Sequence, residues 1–421
     1  MNHEKIKSVI FDQHEILRRT VITDREYKFE KNSNYAVVGI RRAGKSTILN
    51  KIVQELIAKG CDWNQIIYIN FEDERLSEFT VNDFNDILGV QSELSNKKGF
   101  FFFDEIQNVK GWEKFARRMA DSKEWIYITG SNAKMLSREI EVTLGGRYFT
   151  KLVYPYNFRE FLTANKVLYD ENSILKTKSN GKIRAAFNKY FEFGGFPESL
   201  LFKDKREYVT NIYQKILLGD ILMRNNIRNT NALKILMKKI AESVMTEVSY
   251  SKLFNILRTV GVSVSKDAII DYVNYAKDAY LIFSIKNYVA KFAERESNPK
   301  YYFTDNGILN LFLIDKKTAL LENIVAIDLM QKYKEEFYYF KSDKNIIDID
   351  FYVPKIKTAI QVTYSLTDDS KDREIENLVR LSKKNNKIKK FIILTYEEEK
   401  QIKVDGLSIN VIPVWKWLIE Q

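Results

Sequence analysis

Cysteine, histidine and proline are scarce in this sequence of 421 residues. The single cysteine, Cys61, excludes a disulfide framework and a cysteine-based zinc site. With His3 and His14 as the only histidines, metal binding or catalysis by histidine is not expected. Five prolines exclude a proline-rich linker, and no apolar run approaches the length that spans a bilayer. Because the N-terminal segment is too charged for a signal peptide, we expect a cytoplasmic protein without membrane contact.

The balance of charge is basic. Lys and Arg outnumber Asp and Glu by 67 to 56, which gives a net charge of +11 and a pI of about 9.2. A basic surface is compatible with nucleic-acid contact, since lysine and arginine displace counterions from phosphates. It is equally compatible with a lysine-rich composition that serves no partner, because the lysines are interleaved with acids. Charge alone leaves both interpretations open.

The length and the order of apolar segments predict several domains. In residues 1–150 four apolar segments alternate with amphipathic stretches, namely YAVVGI, QIIYINF, GFFFFDEI and WIYITGSN. This alternation favours an α/β domain with a parallel sheet and crossover helices. Residues 151–230 are helical and aromatic, and residues 231–310 read as three helices and a short β-type segment. Residues 311–421 return to an α/β pattern.

The segment GIRRAGKST satisfies the phosphate-loop pattern GxxxxGK[ST] between a predicted strand and a predicted helix. Its glycines let successive N–H groups face a phosphate at a helix N-terminus. We therefore predict ATP binding, with Lys45 reaching the β- and γ-phosphates and the Ser46 hydroxyl ligating Mg²⁺. The predicted nucleotide-binding residues are Gly39, Arg41, Arg42, Ala43, Gly44, Lys45, Ser46 and Thr47.

A phosphate loop needs an acid at the end of a neighbouring strand, and FFFFDE supplies one. Asp104 is the predicted Mg²⁺ acid, and Glu105 is placed to orient or deprotonate the attacking water. At the end of the next strand, Ser131 or Asn132 is a candidate sensor of the γ-phosphate. Arg147 and Arg138 are candidate arginine fingers, with a surface position the simpler interpretation for Arg138.

In this order GIRRAGKST, YINFEDE, FFFDEIQNVKGWEKFARRM, ITGSNAKMLSREI and TLGGRY resemble a group of archaeal and bacterial AAA+-type ATPases. In that group the ATPase module is fused to a C-terminal region of unknown function. The resemblance extends over YPYNFREFL, FGGFPESLL, YQKILLGDI, YYFTDNGILN and IQVTYSL. It implies an ATPase domain (1–150), a helical lid (151–230), a winged-helix-like domain (231–310) and a nuclease-like α/β domain (311–421).

The middle segment has the pattern of a helix-turn-helix. One helix is predicted to end at Gly261, and Ser265 is the predicted N-cap of the next. DNA contact is one interpretation, but that second helix is rich in aspartate, so packing or protein contact is an equal alternative. If DNA is contacted here, the better candidates are on the predicted wing: Lys291, Arg295 and Lys300.

For the C-terminal domain the resemblance implies a restriction-endonuclease-like core of the PD-(D/E)XK type, whose chemistry needs two acids and a lysine. Glu322 and Asp350 match the acid positions, but the next strand carries Gln361 and Thr363 where Glu and Lys are expected. The pattern therefore predicts a vestigial nuclease site. Either Lys341 or Lys344 could replace the missing lysine.

Three functions follow from these patterns. The first is an ATPase that couples turnover to a DNA-associated or protein-partner task, as a homo-oligomer or with a partner. The second is an ATP-regulated, metal-dependent nuclease, and the third is a signalling switch that hydrolyses ATP slowly. The intact Asp104–Glu105 pair argues against the third, and Gln361 with Thr363 argues against the second.

Overall fold

The computed structural model describes residues 1–30, 33–131, 142–342 and 347–420, apart from the side chains of residues 368–370. The chain forms two compact units. The first comprises Met1–Tyr154 with Asp278–Tyr280, and the second comprises Pro155–Lys277 with Leu281–Gln421. Among the described residues, each helix is too short or too polar to cross a membrane.

The first unit is a five-stranded sheet flanked by helices. Its elements are α1 (His3–Arg19), β1 (Asn34–Val38), α2 (Lys45–Ala58), β2 (Ile66–Asn70), α3 (Phe84–Leu94), β3 (Phe100–Asp104), α4 (Trp112–Asp121), β4 (Trp125–Gly130) and β5 (Tyr148–Leu152). The strand order is β2-β3-β4-β1-β5, and every neighbouring pair is parallel. The predicted parallel-sheet α/β fold is therefore confirmed for this unit.

The phenylalanine run forms an interior strand, as its apolar character predicts. All five residues of β3 are buried, and the side chains of Phe101 and Phe103 join the core between the sheet and its helices. There the rings of Phe84 and Phe115 stack with centroids 4.1 Å apart. Burial of aromatic side chains on this scale is a main source of stability, at about 25 cal/mol per Å² of apolar surface.

The edge strand β5 was not anticipated by the sequence analysis. Its sequence, YFTKL, lacks a continuous apolar run, and its residues are half-buried or exposed. It pairs with β1 from Asn34 opposite Tyr148 to Val38 opposite Leu152. An edge strand has only one neighbour, so its hydrophobic signal in the sequence is weak.

The second unit begins with helices. They are α5 (Phe158–Ala164), α6 (Glu171–Leu175), α7 (Thr177–Phe193), α8 (Lys205–Lys215), a π-helix (Ile216–Met223), α9 (Thr230–Glu242), α10 (Tyr250–Thr259), α11 (Lys266–Asp278), α12 (Phe292–Ser297), α13 (Asn306–Asn310) and α14 (Lys317–Tyr333). Strands β6 (Ile282–Ile285) and β7 (Lys300–Phe303) form an antiparallel pair, and α12 lies between them in the sequence. The predicted cap at Ser265 is confirmed, since its Oγ accepts a hydrogen bond from the N–H of Ala268 at 3.1 Å.

The remaining residues of the second unit form a mixed sheet. Its elements are β8 (Tyr338–Lys341), β9 (Asp348–Val353), β10 (Thr358–Val362), α15 (Asp368–Lys384), β11 (Lys390–Thr395), β12 (Lys400–Val404), β13 (Leu407–Pro413) and α16 (Val414–Glu420). The strand order is β12-β13-β11-β10-β9-β8. Strands β9 and β10 are antiparallel, and this hairpin carries Asp350 and Gln361. Strand β12 and helix α16 were not predicted.

The FGGFP segment is a turn between α7 and the 3₁₀ helix that precedes α8. A Cβ at Gly195 would lie 2.2 Å from the carbonyl oxygen of Tyr156, so the close backbone approach requires glycine. The N–H of Gly195 donates to the buried Asp305 carboxylate at 2.7 Å, and Asp305 also caps α13 by accepting from the N–H of Ile308. The Asp305 carboxylate therefore links the FGGFP turn to the start of α13 through hydrogen bonds.

Candidate functional site

The phosphate loop connects the end of β1 to the start of α2 and follows a backbone path that requires glycine. Gly39 has φ +146°, and a Cβ there would lie 2.0 Å from the carbonyl oxygen of Val153. Gly44 adopts a left-handed conformation as the residue that precedes α2, and Arg42 is also left-handed, with φ 65°. The resulting curled loop has the shape of a phosphate cradle.

The N-terminus of α2 is suited to an anion. In the described structure no side chain caps it, and its first turn carries no acidic residue. The partial positive charge of a helix N-terminus stabilises a negative group placed there. Lys45 is 4% exposed, and its ammonium donates to the carbonyl oxygens of Gly39 at 3.1 Å and Ile40 at 3.3 Å. The Lys45 ammonium is thus held by the carbonyl oxygens of the loop. A buried cation beside an uncapped helix N-terminus is chemically suited to the phosphates of a nucleotide.

The other predicted loop residues lie in different surroundings. Arg41 forms an ion pair with Glu72 at 2.8 Å, and the side chain of Arg42 is exposed. Ala43 is buried, while Thr47 is half-buried on the first turn of α2.

The two predicted acids meet the loop at the carboxyl edge of the sheet. Asp104 is the last residue of β3, and Glu105 follows it in the left-handed region with φ 51°. The Lys45 Nζ lies 3.6 Å from Glu105 Oε1. The structure therefore brings the lysine and both acids together, since parallel strands present their carboxyl ends at one edge.

Two hydroxyl groups that the sequence analysis missed hold these acids. Tyr68 Oη donates to Asp104 Oδ2 at 2.9 Å. The Thr129 hydroxyl donates to Asp104 Oδ1 and accepts from the N–H of Glu105 at 2.9 Å. Tyr68 is the middle residue of β2 and Thr129 is the penultimate residue of β4, and no sequence motif distinguishes either position.

The two acids differ in their electrostatics. Burial and the neighbouring Glu105 charge raise the pKa of Asp104, although hydrogen bonds, including one from the Ser46 hydroxyl, oppose the shift. Burial also acts to raise the pKa of Glu105. There the charge of Lys45 and a hydrogen bond from Gln107 outweigh it, so the pKa of Glu105 lies below its ordinary value. Glu105 is thereby kept ionised at neutral pH.

A buried arginine before β1 also belongs to this region and was not predicted. Arg25 is 5% exposed and donates to the carbonyl oxygens of Ala43 at 2.8 Å and Tyr154 at 2.9 Å. These hydrogen bonds therefore hold the part of the chain around Arg25, between α1 and β1, against the phosphate loop.

The candidate sensor and finger residues are placed differently. Ser131 directly follows β4 and is buried near Glu105, and its hydroxyl makes no hydrogen bond among the described atoms. Asn132 and Arg138 lie outside the described residues. Arg147 precedes β5 at the amino edge of the sheet and forms an ion pair with Asp121. Because the two ends of the five-residue β1 are roughly 13 Å apart, Arg147 lies at the opposite edge of the sheet from the two acids.

A second group of charged and polar side chains lies in the second unit. It includes all three residues predicted for the vestigial nuclease site, Glu322, Asp350 and Gln361. Lys300 joins them from β7, with its Nζ 3.6 Å from Asp350 Oδ1 and 3.9 Å from Glu322 Oε1. The prediction that Lys300 contacts DNA from a wing is wrong, because its side chain is 1% exposed.

The other basic candidates do not complete this cluster. Lys341 forms one ion pair with Glu247 and a second with Asp348 at 3.7 Å. Lys344 lies outside the described residues. On the predicted wing Lys291 is exposed, and Arg295 donates to the backbone carbonyl oxygen of Ala290 at 3.1 Å.

Comparison with known proteins gives two family matches. Residues 31–162 match the AAA domain model AAA_14, and residues 184–337 match a domain of unknown function, DUF8612. An uncharacterised protein of Methanocaldococcus jannaschii is 34% identical over 98% of this chain and 94% of its own length. An uncharacterised protein of Haemophilus influenzae is 32% identical over 91% of this chain and 94% of its own length. Among solved structures, a Walker-type ATPase of Pyrococcus abyssi aligns over 71% of this chain and all of its own, with 16% identity and a TM-score of 0.45.

Proposed function

We propose that this chain, which belongs to the same family as the M. jannaschii and H. influenzae proteins, hydrolyses ATP with Mg²⁺. Hydrolysis is assigned to its AAA-type ATPase domain. One observation carries the proposal. The Lys45 ammonium and the Asp104 and Glu105 carboxylates lie together beside the N-terminus of α2. This combination provides a cation for phosphate, an acid for a metal ion and a base for water.

The phosphate-binding role is assigned to the loop and its lysine. The backbone N–H groups of the glycine-containing loop and the first turn of α2 would bind the phosphate oxygens. Lys45 now donates to two carbonyl oxygens of its own loop, and we expect its ammonium to move to the β- and γ-phosphates when ATP binds. Its buried position excludes water from this contact, which strengthens the attraction.

The metal-binding role is assigned to Ser46 and Asp104. Ser46 lies in the first turn of α2, next to the Asp104 carboxylate, whose raised pKa it acts to lower. Oxygen ligands of this kind, completed by water and phosphate oxygens, suit Mg²⁺. When bound, Mg²⁺ would supply positive charge that offsets the negative charge of the phosphate oxygens.

Glu105 is the proposed base. It must be ionised to accept a proton from water, and its lowered pKa meets that requirement. Thr129 orients it through the backbone, and Lys45 balances its charge. Asn132 remains a proposed sensor and Arg147 a proposed finger in trans.

Substitution of Lys45 and Glu105 tests the proposal. Lys45→Ala should lose ATP binding, whereas Glu105→Gln should bind ATP with turnover lowered by at least about 100-fold. Lys59→Ala is a matched control, since Lys59 is an exposed lysine at the far end of α2. Binding is measured with a fluorescent ATP analogue and turnover by phosphate release. Wild-type turnover in Glu105→Gln would refute the assignment of the base.

We further propose that turnover is coupled to a DNA-associated or protein-partner task of the second unit. Support for DNA is the order of three helices followed by an antiparallel strand pair, α9 to β7, which is expected of a winged helix. Support for a protein partner is the exposed side of α11, where Asp267 and Asp271 would repel phosphate. The nuclease alternative is disfavoured, because Glu322 and Gln361 are buried away from a phosphodiester substrate.

A further inference from the structure

The carboxylate cluster of the second unit contains a cation of its own. Lys300 lies on β7 with its ammonium between Asp350 and Glu322, and its Nζ is also 5.4 Å from the ring centroid of Tyr339. Lys300 and Glu322 are 1% and 0% exposed. A buried ammonium is stable only when anions compensate for the loss of hydration.

The electrostatics of the lysine agree with this placement. Burial alone would lower the pKa of Lys300, but the surrounding carboxylates, led by Glu322 and Asp350, raise it above its ordinary value. Lys300 therefore keeps its charge throughout the neutral range. Burial and the charge of Asp350 act to raise the pKa of Glu322, whereas the Lys300 ammonium and a hydrogen bond from Tyr302 Oη to Glu322 Oε1 at 2.7 Å oppose this shift and favour the ionised carboxylate.

The remaining polar groups are arranged for internal contacts. Gln361 Oε1 accepts from the N–H of Asp350 at 2.8 Å, and its Nε2 donates to Glu374 at 2.6 Å and to the carbonyl oxygen of Asp348 at 3.0 Å. The side-chain oxygen of Gln361 therefore already accepts a hydrogen bond from the backbone. Thr363, at the expected lysine position, donates to the carbonyl oxygen of Ser365.

A divalent ion does not fit this arrangement. Within the described ranges, no three His, Cys, Asp or Glu side chains are grouped so that they could hold a metal ion. The Lys300 ammonium lies between the two acids that such an ion would require. One carboxylate oxygen, Glu322 Oε2, is buried and makes no hydrogen bond among the described atoms, so it is available to another cation only if the Lys300 ammonium is removed.

We propose that Lys300 is the resident cation of this cluster and replaces the divalent metal ion that the resemblance to nucleases implies. The ammonium joins α14, β7 and β9 through Glu322 and Asp350, and it makes the cluster a structural element that is independent of metal. This inference concerns the second unit and does not depend on ATP hydrolysis by the first.

The first test measures Mn²⁺ binding to the wild-type chain without nucleotide, by electron paramagnetic resonance and by thermal unfolding. We expect no Mn²⁺ site that depends on Asp350 and no change in Tm. Mn²⁺ binding by wild type that Asp350→Asn abolishes would overturn the proposal. This measurement needs no substitution of the lysine, so it decides even if the Lys300 variant fails to fold.

The second test removes the cation. Lys300→Met leaves Glu322 and Asp350 without a counter-charge, so Mn²⁺ should bind there at least about tenfold more tightly than to wild type and raise Tm by about 3 °C or more. Adding Asp350→Asn should abolish the gain. Lys341→Met is the matched control, because the ion pairs of Lys341 are with Glu247 and Asp348 rather than with Glu322 and Asp350. Absence of a Mn²⁺ effect in folded Lys300→Met would refute the proposal.

Discussion

At the scale of single residues, one hydroxyl group organises the candidate catalytic acids. The Thr129 side chain bridges the Asp104 carboxylate and the N–H of Glu105. Glu105 has φ 51°, a conformation that is unfavourable for a residue with a side chain and persists only with support from its surroundings. Thr129 provides that support, so it is a positioning residue for both acids.

Thr129→Val removes the hydroxyl and keeps the shape of the side chain. We expect kcat for ATP hydrolysis to fall about tenfold with little change in KM, because loss of one or two hydrogen bonds misplaces the acids without altering the phosphate loop. Steady-state kinetics over a range of ATP and Mg²⁺ concentrations measures this. Thr129→Ser retains the hydroxyl and should stay near wild type. Equal kcat for the Val variant and wild type would contradict the positioning role.

At the scale of structural elements, the phosphate loop depends on a close approach between β1 and the segment after β5. A Cβ at Gly39 would lie 2.0 Å from the carbonyl oxygen of Val153, a backbone atom that cannot move aside easily. Gly60, beyond the end of α2, also has a positive φ, but a Cβ there would meet no described atom within 4 Å. Both glycines have a backbone conformation that is strained for other residues, but only at Gly39 would an added Cβ also clash with a neighbouring atom.

Gly39→Ala should therefore lower the free energy of unfolding by more than the roughly 1 kcal/mol expected for Gly60→Ala, and it should also weaken ATP binding. Chemical denaturation and nucleotide titration of both variants measure the difference. Equal losses of stability, with ATP binding intact in both, would show that the contact with Val153 is not limiting.

The link between the FGGFP turn and α13 gives a prediction about pH. Burial raises the pKa of Asp305 to about 6, despite hydrogen bonds from backbone N–H groups that oppose the shift. A carboxyl with a raised pKa binds more protons in the folded state than in the unfolded state between about pH 4 and pH 6. Its contribution to stability is therefore present at low pH and is lost as pH rises through about 6.

Asp305→Asn carries no charge and should lack this dependence. The difference in unfolding free energy between Asp305→Asn and wild type should shift in favour of the variant by about 2–3 kcal/mol between pH 4 and pH 7. Denaturant titrations at the two pH values measure it. A constant difference would mean that Asp305 titrates near its ordinary pKa in the folded protein.

At the scale of the whole molecule, the distribution of charge bears on the partner that the proposed ATPase serves. The net charge of +11 favours contact with phosphates, while the acidic exposed side of α11 opposes it. Contacts between basic side chains and DNA release counterions, so their strength falls steeply with salt. The salt dependence of turnover therefore separates the two classes of partner.

If the task is associated with DNA, duplex DNA should raise the ATPase rate at low salt, and the stimulation should disappear as salt is raised. Phosphate release with and without DNA over a salt series measures this, with Lys45→Ala as the control for turnover. Absence of both stimulation and binding at low salt would exclude DNA and favour a protein partner.

The sequence by itself determined the phosphate loop, the acid pair and the parallel sheet that holds them. Lys45, Asp104 and Glu105 could be identified because each lies at the end of, or after, a strand that is recognisable from its own apolar residues. Parallel strands bring their carboxyl ends to one edge, so local patterns were sufficient to predict that these residues meet. The strand β5 and the helix α16 lacked such a local signal.

Only the tertiary structure decided the roles of residues whose partners are distant in the chain. Thr129 and Tyr68 acquire meaning from hydrogen bonds to another strand. Lys300 has the sequence context of a basic, exposed wing, yet packing buries it against acids from α14 and β9. The charge of a lysine is evident from its sequence, but whether it faces water, DNA or a buried carboxylate depends on which elements the fold places around it.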